Sequence, residues 1–489
     1  MKILLVTPSN CDLIHGVSLP LGLISIGTYL KSEGHEVKIV DLNVTRINIR
    51  RTIKDFKPDL LGVSVHYQKQ LPVALDVSKA AHKQGVPVVW GGPFCNHILL
   101  EHYYDSGVID FVCFGEGEMT WLELVDAIGN SKPIECIKGI AYKKDGKFIR
   151  NVDREFMDLS EVLPSDWSLV DVPKYFQPMY GAKNLVYLYL SKGCPGQCAF
   201  CFNVYFNHSR QRRKPVETFM AELKALVEKY GVDGFCLSDE CAFLKKSDLY
   251  DLCDAMDNAG YNLIWGFDTR IGLLNKEDLQ RAYDSGCRWI HFGLESGSPR
   301  MLEIIKKNVS ADKIIPTYEW MNEIGILPVS TFIIGMPGET VDDAKHTVDF
   351  IKSLPNGEAS VFRYGYLYGS PFGKEIYNSG KYALPQSIRD YRKMDLYNNR
   401  LPNFSEIPTR DVKVIQGYFS WKLLFKNDYS DKSGATTFIF REIKYGLERL
   451  MRIKPIYLPE AFADCTFPLF RFFFAAKFCK KTREKYGLD

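Results

Sequence analysis

Short apolar runs alternate with segments of helical period along this chain, and the pattern occurs twice. In the first pass the strands are Lys2 to Thr7, Val37 to Asp41, Leu60 to Val65, Val86 to Trp90 and Phe111 to Phe114. Between them lie the helical stretches Leu21 to Glu33 and Pro72 to Gln84, and a third follows from Thr120 to Ile128. Strands that alternate with helices at this pace dictate a parallel, doubly wound sheet. Such sheets take ligands beyond the carboxyl ends of their strands. The second pass begins at Tyr187 and continues through Gly234 to Ser238, Leu263 to Asp268, Trp289 to Leu294, Val329 to Ile334 and Ser360 to Tyr366. Six such units predict a partial (β/α)6 barrel of the TIM kind, with its site at the carboxyl ends of the strands. The expected fold is therefore α/β. A Rossmann-like doubly wound sheet fills 1–150, a linker 151–185, the barrel 186–385 and a mostly helical segment 386–489.

Composition narrows the function classes. The 62 Lys and Arg against 59 Asp and Glu leave a net charge of +3, which gives a nucleic-acid partner no bulk electrostatic support. Thirteen irregularly spaced cysteines, in a chain that opens directly on a strand, indicate a reducing cytoplasm. With that strand at the start, no secretory leader is expected. No run reaches the roughly 20 apolar residues needed to span a bilayer. A cytoplasmic protein, at most peripheral at a membrane, is expected.

The chemistry concentrates in Tyr187 to Phe202, YLYLSKGCPGQCAFCF, where a strand runs into a glycine turn and then into Cys194, Cys198 and Cys201. Three thiolates at this spacing can hold three irons of one cubane. Such clusters usually take four cysteines, so one iron would stay open to a small molecule. A structural zinc site needs four closed ligands and would have to recruit its fourth from afar, at His208 or Cys236. The loop, with Phe200 just before its last cysteine, resembles the signature of the radical S-adenosylmethionine enzymes. The resemblance implies a 4Fe–4S cluster on Cys194, Cys198 and Cys201 whose open iron chelates S-adenosylmethionine. Reductive cleavage would give methionine and a 5′-deoxyadenosyl radical.

Further motifs follow in the family's order. Asp239-Glu240 stands where the family's acidic pair contacts the cofactor's amino group. Gly293 to Ser298 resembles its GLESGS segment, with Glu295 and Ser296 near the ribose or aminoacyl end. Gly335 to Thr340 matches G-x-P-G-E-T, with Gly335 and Pro337 around the adenosyl group. Arg270 after the third strand is a weaker candidate. Ser298 before Pro299, and Glu339-Thr340, also read simply as helix starts. Cys236, Cys241, Cys253 and Cys287 are expected to be small buried residues, with Cys241 the one near the site.

The first domain's loops are Ser64-Val65-His66, Gly91-Gly92-Pro93 and Gly115-Glu116-Gly117-Glu118. Glycines there let backbone approach a bulky ligand, though each loop alone reads as an ordinary tight turn. The absence of Gly-x-Gly-x-x-Gly argues against a nicotinamide dinucleotide. Together, the loops resemble the cobalamin-binding domain that precedes many radical S-adenosylmethionine cores. That implies a corrinoid across the strand ends, beside Ser64, His66, Gly91, Gly92, Gly115, Glu116 and Gly117. One departure stands out: Asp12 and His15 are three apart, not two as in the Asp-x-His-x-x-Gly motif that ligates cobalt, so His15 reads as a loop histidine.

The tail carries REIKYGLERLMRIK and the run Phe467 to Phe478, broken by Arg471 and Lys477. It is expected to pack on the barrel, the alternative being a helix on a membrane surface, which would suit a hydrophobic substrate. The resemblance implies a small-molecule substrate, a reductant such as flavodoxin or ferredoxin, and methylation of an unactivated carbon. Ring formation or rearrangement, and methylthio transfer with a second cluster on Cys11, Cys95 and Cys113, are the alternatives, followed by a non-catalytic corrinoid sensor.

Overall fold

The computed structural model describes residues 1–9, 17–309, 311–391, 402–425 and 479–488, so the loop with Asp12 and His15, Cys11, and most of the aromatic and basic tail lie outside it. The chain divides into two compact units, with the boundary at Tyr175 and Phe176. The first also takes in the segment that begins at Gly380, and the second the residues resumed at Leu401.

The first unit is built on a seven-stranded sheet. Its strands are β1 (Lys2–Thr7), β2 (Glu36–Asp41), β3 (Leu60–Ser64), β4 (Val88–Gly91), β5 (Phe111–Cys113), β6 (Ile140–Lys144) and β7 (Lys147–Arg150). The order is β2-β1-β3-β4-β5-β6-β7, and β1 to β5 pair in parallel. The order reverses between β1 and β3, which places the ligand crevice beyond Thr7 and Ser64. Ile3, Leu5, Leu60 and Val89 from the strands pack on Leu30, Trp121 and Leu124 from the helices. Sequence reading missed the antiparallel edge β6–β7. Its turn is Asp145-Gly146, both at positive φ (46° and 77°), the mirror-image turn that matches strand twist. It also missed the helix Ile49–Phe56, where only Ile49 and Ile53 are buried, too sparse a stripe to announce a helical period.

The second unit has strands β8 (Gln177–Met179), β9 (Ala182–Leu188), β10 (Ser191–Lys192), β11 (Arg212–Arg213), β12 (Gly234–Leu237), β13 (Ile264–Thr269), β14 (Cys287–Glu295), β15 (Leu327–Ile334) and β16 (Glu358–Arg363). The order β16-β15-β14-β13-β12-β9-β8 sets six parallel strands side by side in chain sequence, the curled sheet of a half-barrel. Its first parallel strand begins at Ala182, inside the expected linker, because the hairpin from β8 draws that stretch into the sheet. Phe235, Trp265 and Phe267 form an aromatic stack on the helical side, joined by Phe219 and Phe243. Alternate residues point to the concave side. There the Trp289 indole lies across Gly266, where a Cβ would come within 2.1 Å of the ring. Tyr180 stacks on Trp289 at 4.3 Å from a turn in which it holds φ +51°, a conformation that ordinary residues avoid. These two rings floor the amino-terminal end of the half-barrel.

Ser298 and Thr340 do start helices, accepting from the amides of Met301 and Asp343. No helix among the described residues is long and apolar enough to cross a membrane. Because nothing can move aside cheaply, Gly266→Ala is expected to destabilise the protein by about 1–3 kcal/mol, measured by urea denaturation. Adding Trp289→Phe should recover part of that loss.

Candidate active site

The cysteine loop leaves β9 and is tied at both ends. The pair β10–β11 closes its base, and Asn203 Nδ2 donates to the Cys194 carbonyl at 2.6 Å. Ala199 N donates to Ile305 O and Ala199 O accepts from Phe372 N, at 3.0 and 2.9 Å. Gly193 holds φ +90°, and a Cβ there would lie 2.0 Å from Arg210 O, so only glycine makes this turn. The sulfurs are already solvated by amides. Gly196 N lies 3.4 Å from Cys194 Sγ and Asn203 N 3.4 Å from Cys201 Sγ. Such N–H···S contacts favour thiolates and tune a cluster's potential. The Cys194 thiol is held below its usual range, first by the Cys241 thiol, then by the Gly196 amide and by Arg270 and Lys307. Burial pushes Cys201 up to about 12. A cluster would displace both protons.

The acidic pair holds the loop. Buried Asp239 accepts from Leu190 N (2.9 Å), Ser191 N (2.6 Å) and Ser191 Oγ (2.6 Å), while burial pushes its carboxyl up to about 7. Glu240 accepts from Gly193 N at 2.7 Å and Asn207 Nδ2 at 3.2 Å. Their oxygens are thus engaged with the loop, and Glu240 stays exposed. Arg270 lies on the same loop: its guanidinium donates to Lys307 O at 2.8 Å and occupies the space a side chain on Gly196 would fill, 2.5 Å from the Cβ position. The basic stretch after the loop serves packing, Arg213 pairing with Asp248 and buried Lys214 with Glu222 at 2.7 Å.

Glu295 has φ +71° and an ion pair with Lys307 at 3.3 Å, both side chains only 9% exposed. Lys307 carried no sequence signal, since a lysine in a KKN stretch reads as solvated surface. Ser296 is fully buried and its Oγ is 3.0 Å from Thr347 Oγ1, an intramolecular partnership. Gly335 and Met336 amides donate to Glu339 Oε2 at 2.5 and 2.9 Å, so the glutamate of the G-x-P-G-E-T segment shapes the turn around Gly335 and Pro337. Phe200 is half-buried within the cysteine loop. Cys236, Cys241, Cys253 and Cys287 are all buried, and Cys241 lies 3.6 Å from Thr269 Oγ1.

In the first unit, Ser64, Gly91 and Gly115 fall at or just beyond the carboxyl ends of the adjacent strands β3, β4 and β5. Gly92 has φ +97°, and a Cβ there would meet Val65 O at 2.6 Å. The loop can turn this tightly only with glycine. Ser64 Oγ and His66 Nε2 are 3.1 Å apart, and burial lowers His66 to about 4, leaving a neutral ring at physiological pH. Glu116 accepts from Met157 N at 3.0 Å, and Glu118 from Ser25 Oγ at 2.7 Å. The groups left at these strand ends are backbone, hydroxyl and neutral imidazole, a set that can hydrogen-bond a large polar tail. Cys95 and Cys113 are buried in the domain, their thiols raised by burial to about 12, with Cys95 donating to Gly91 O.

Residues 188–351 match the model of the radical SAM superfamily, and 11–125 match that of the B12-binding domain. The chain is 32% identical over 371 residues to an uncharacterised methyltransferase of Pyrococcus horikoshii, covering 72% of this chain and 78% of that one. It belongs to the cobalamin-binding radical S-adenosylmethionine enzymes. An anaerobic magnesium-protoporphyrin IX monomethyl ester cyclase of Synechocystis is 25% identical, with 86% of each chain covered. The fold is shared with the radical S-adenosylmethionine methyltransferase TsrM of Kitasatospora setae, solved with cobalamin and a [4Fe–4S] cluster. That structure gives a TM-score of 0.70 at 17% identity, over 91% of this chain and 99% of that one. The two domain matches make a 4Fe–4S cluster, S-adenosylmethionine and cobalamin the cofactors of this radical S-adenosylmethionine enzyme.

Burial pushes Glu339 from an ordinary 4.5 to about 8. A carboxyl whose folded pKa is raised contributes stability below its unfolded value and loses it as pH climbs to the folded one. Stability relative to Glu339→Gln, which keeps an acceptor for the two amides, is expected to fall between about pH 4.5 and 8, by at most about 1.4 kcal/mol per pH unit. Parallel denaturation series of the two proteins check this.

Proposed function

We propose that this enzyme methylates an unactivated carbon of a small molecule, drawing electrons from a flavodoxin- or ferredoxin-class reductant. The observation that carries the reading is the three-thiol loop at the carboxyl end of a half-barrel, in a chain that also has the cobalamin-type sheet. When bound, the cluster and S-adenosylmethionine supply a radical that abstracts hydrogen, and cobalamin supplies a transferable methyl group, chemistry that side chains cannot provide. The protein's own part is to hold and orient. Cys194, Cys198 and Cys201 would ligate the cluster, while Asp239 and Glu240 fix the backbone that carries them. Glu295, Ser296, Gly335 and Pro337 would shape the S-adenosylmethionine site, with Arg270 and Lys307 supplying positive charge beside it. Ser64, His66, Gly91, Gly92 and the Gly115 loop would receive the corrinoid tail. Ring formation is the second reading, supported by the likeness to the magnesium-protoporphyrin cyclase over most of both chains.

Protein rebuilt anaerobically with iron and hydroxocobalamin is expected to keep about four irons and about one corrinoid per chain after desalting. Reduction with S-adenosylmethionine present should yield 5′-deoxyadenosine. About eight irons with no corrinoid would instead establish a methylthiotransferase. Cys198→Ala should lose most of its iron and all 5′-deoxyadenosine formation while retaining corrinoid. Asp239→Ala, which releases three contacts to the loop, should lower iron retention several-fold with its fold intact by circular dichroism.

A further inference from the structure

The concave side of the half-barrel carries a polar ring that none of the cofactor motifs includes. Side chains alternate along a strand, so the residues of each strand that do not pack on the helices line this interior. Strand pairing places Asp268 of β13 opposite His291 of β14. His291 in turn pairs with Val329 of β15, and Val329 with Glu358 of β16. These residues form one level across four strands. Tyr187 and Cys236, neighbours on β9 and β12, stand beside them, and the stacked Tyr180 and Trp289 lie beneath.

His291 Nδ1 is 2.7 Å from Asp268 Oδ1, with the two side chains 30% and 42% exposed. The dyad is therefore open to the interior. With Nδ1–H donating to the carboxylate, Nε2 is left as an acceptor. Among the described residues no lysine or arginine pairs with Asp268 or Glu358, whereas the nearby cations Arg270 and Lys307 are turned to the cysteine loop and Glu295. Burial raises Glu358, with His291 partly opposing it, as happens to a carboxyl that lacks a counter-cation. Two carboxyls and an imidazole acceptor, walled by aromatic rings, form a site built to accept hydrogen bonds and positive charge.

We propose that Asp268, Glu358 and His291 are the specificity subsite for an ammonium or similar cationic nitrogen of the substrate, which narrows the substrate class to small amine-bearing molecules. This rests on the function proposed above. A metal ion is the competing occupant, because the ligand atoms of Cys236, Asp268 and His291 lie within 4.8 Å of one another. The observed hydrogen bond commits His291 Nδ1 to Asp268, and Glu358, which completes the level, is not among the three candidate metal ligands, so the arrangement as a whole favours an acceptor site.

The test uses the full chain with its cluster rebuilt, and ligand-observed NMR with phenethylamine as probe. 3-Phenylpropionate and 2-phenylethanol serve as its anionic and neutral counterparts. Phenethylamine is expected to bind and the other two not. The near-isosteric pair Asp268→Asn and Glu358→Gln should weaken the amine by about tenfold or more. Equal binding of the three probes, amine binding unchanged in the double variant, or one zinc per chain that survives chelation and is lost in Cys236→Ser would each overturn the proposal. Iron content and 5′-deoxyadenosine formation are read on the same samples. A double variant that keeps both but loses the amine confirms the subsite, whereas a wild type that makes no 5′-deoxyadenosine fails the function reading separately from the binding result.

Discussion

The contact on which the catalytic unit depends is the grip of Asp239 and Glu240 on the cysteine loop. Both sit at the carboxyl end of β12, and their oxygens take amides from Leu190, Ser191 and Gly193. Three thiols can bind one cluster only if the backbone between them is fixed before the metal arrives. Ordering that loop on binding would otherwise cost roughly 1–2 kcal/mol per residue. A carboxylate accepting several amides is strong and directional, and burying Asp239 makes the clamp stiffer still. The same strand end that positions the loop in space therefore also supplies its anchor.

Charge is segregated around this anchor. Arg270 and Lys307 crowd the cysteine loop, where they favour thiolates, and the Glu295–Lys307 pair closes that side. Deeper on the concave face the balance reverses, with Asp268, Glu358 and His291 and, among the described residues, no lysine or arginine paired to the carboxyls. A half-barrel can support both because neighbouring strands present their side chains at set heights. Residues two apart on one strand stand about 6–7 Å apart, enough to separate an anionic level from a cationic one.

Much of this was legible in the sequence. The cysteine spacing, the order of the glycine motifs and the strand–helix alternation each reflect local geometry that residue types impose. They yielded five of the first sheet's strands and the loop itself. The β6–β7 edge escaped although Asp145-Gly146 is a hairpin signal, because its strands are polar at one end (IAYKK and KFIR). The start of β9 at Ala182 escaped because the hairpin with β8 is held by Tyr180 stacking on Trp289, more than a hundred residues away. Asp239 was placed correctly at a strand end, yet its partners could not be read, since hydrogen bonds to Leu190 and Ser191 span nearly fifty residues.

The sequence by itself determined the class of protein: two successive α/β units, one with a three-thiol loop and one with a glycine-lined rim, follow from periodicity and spacing alone. The tertiary structure decided which groups face one another. It brought Lys307 to Glu295, laid Arg270 over Gly196, turned the acidic pair onto the loop backbone, and aligned Asp268, His291 and Glu358 on one level. The physical reason is that a parallel sheet joins strands separated by whole helices. Register between them is set by packing across the sheet, which no local pattern of residues records.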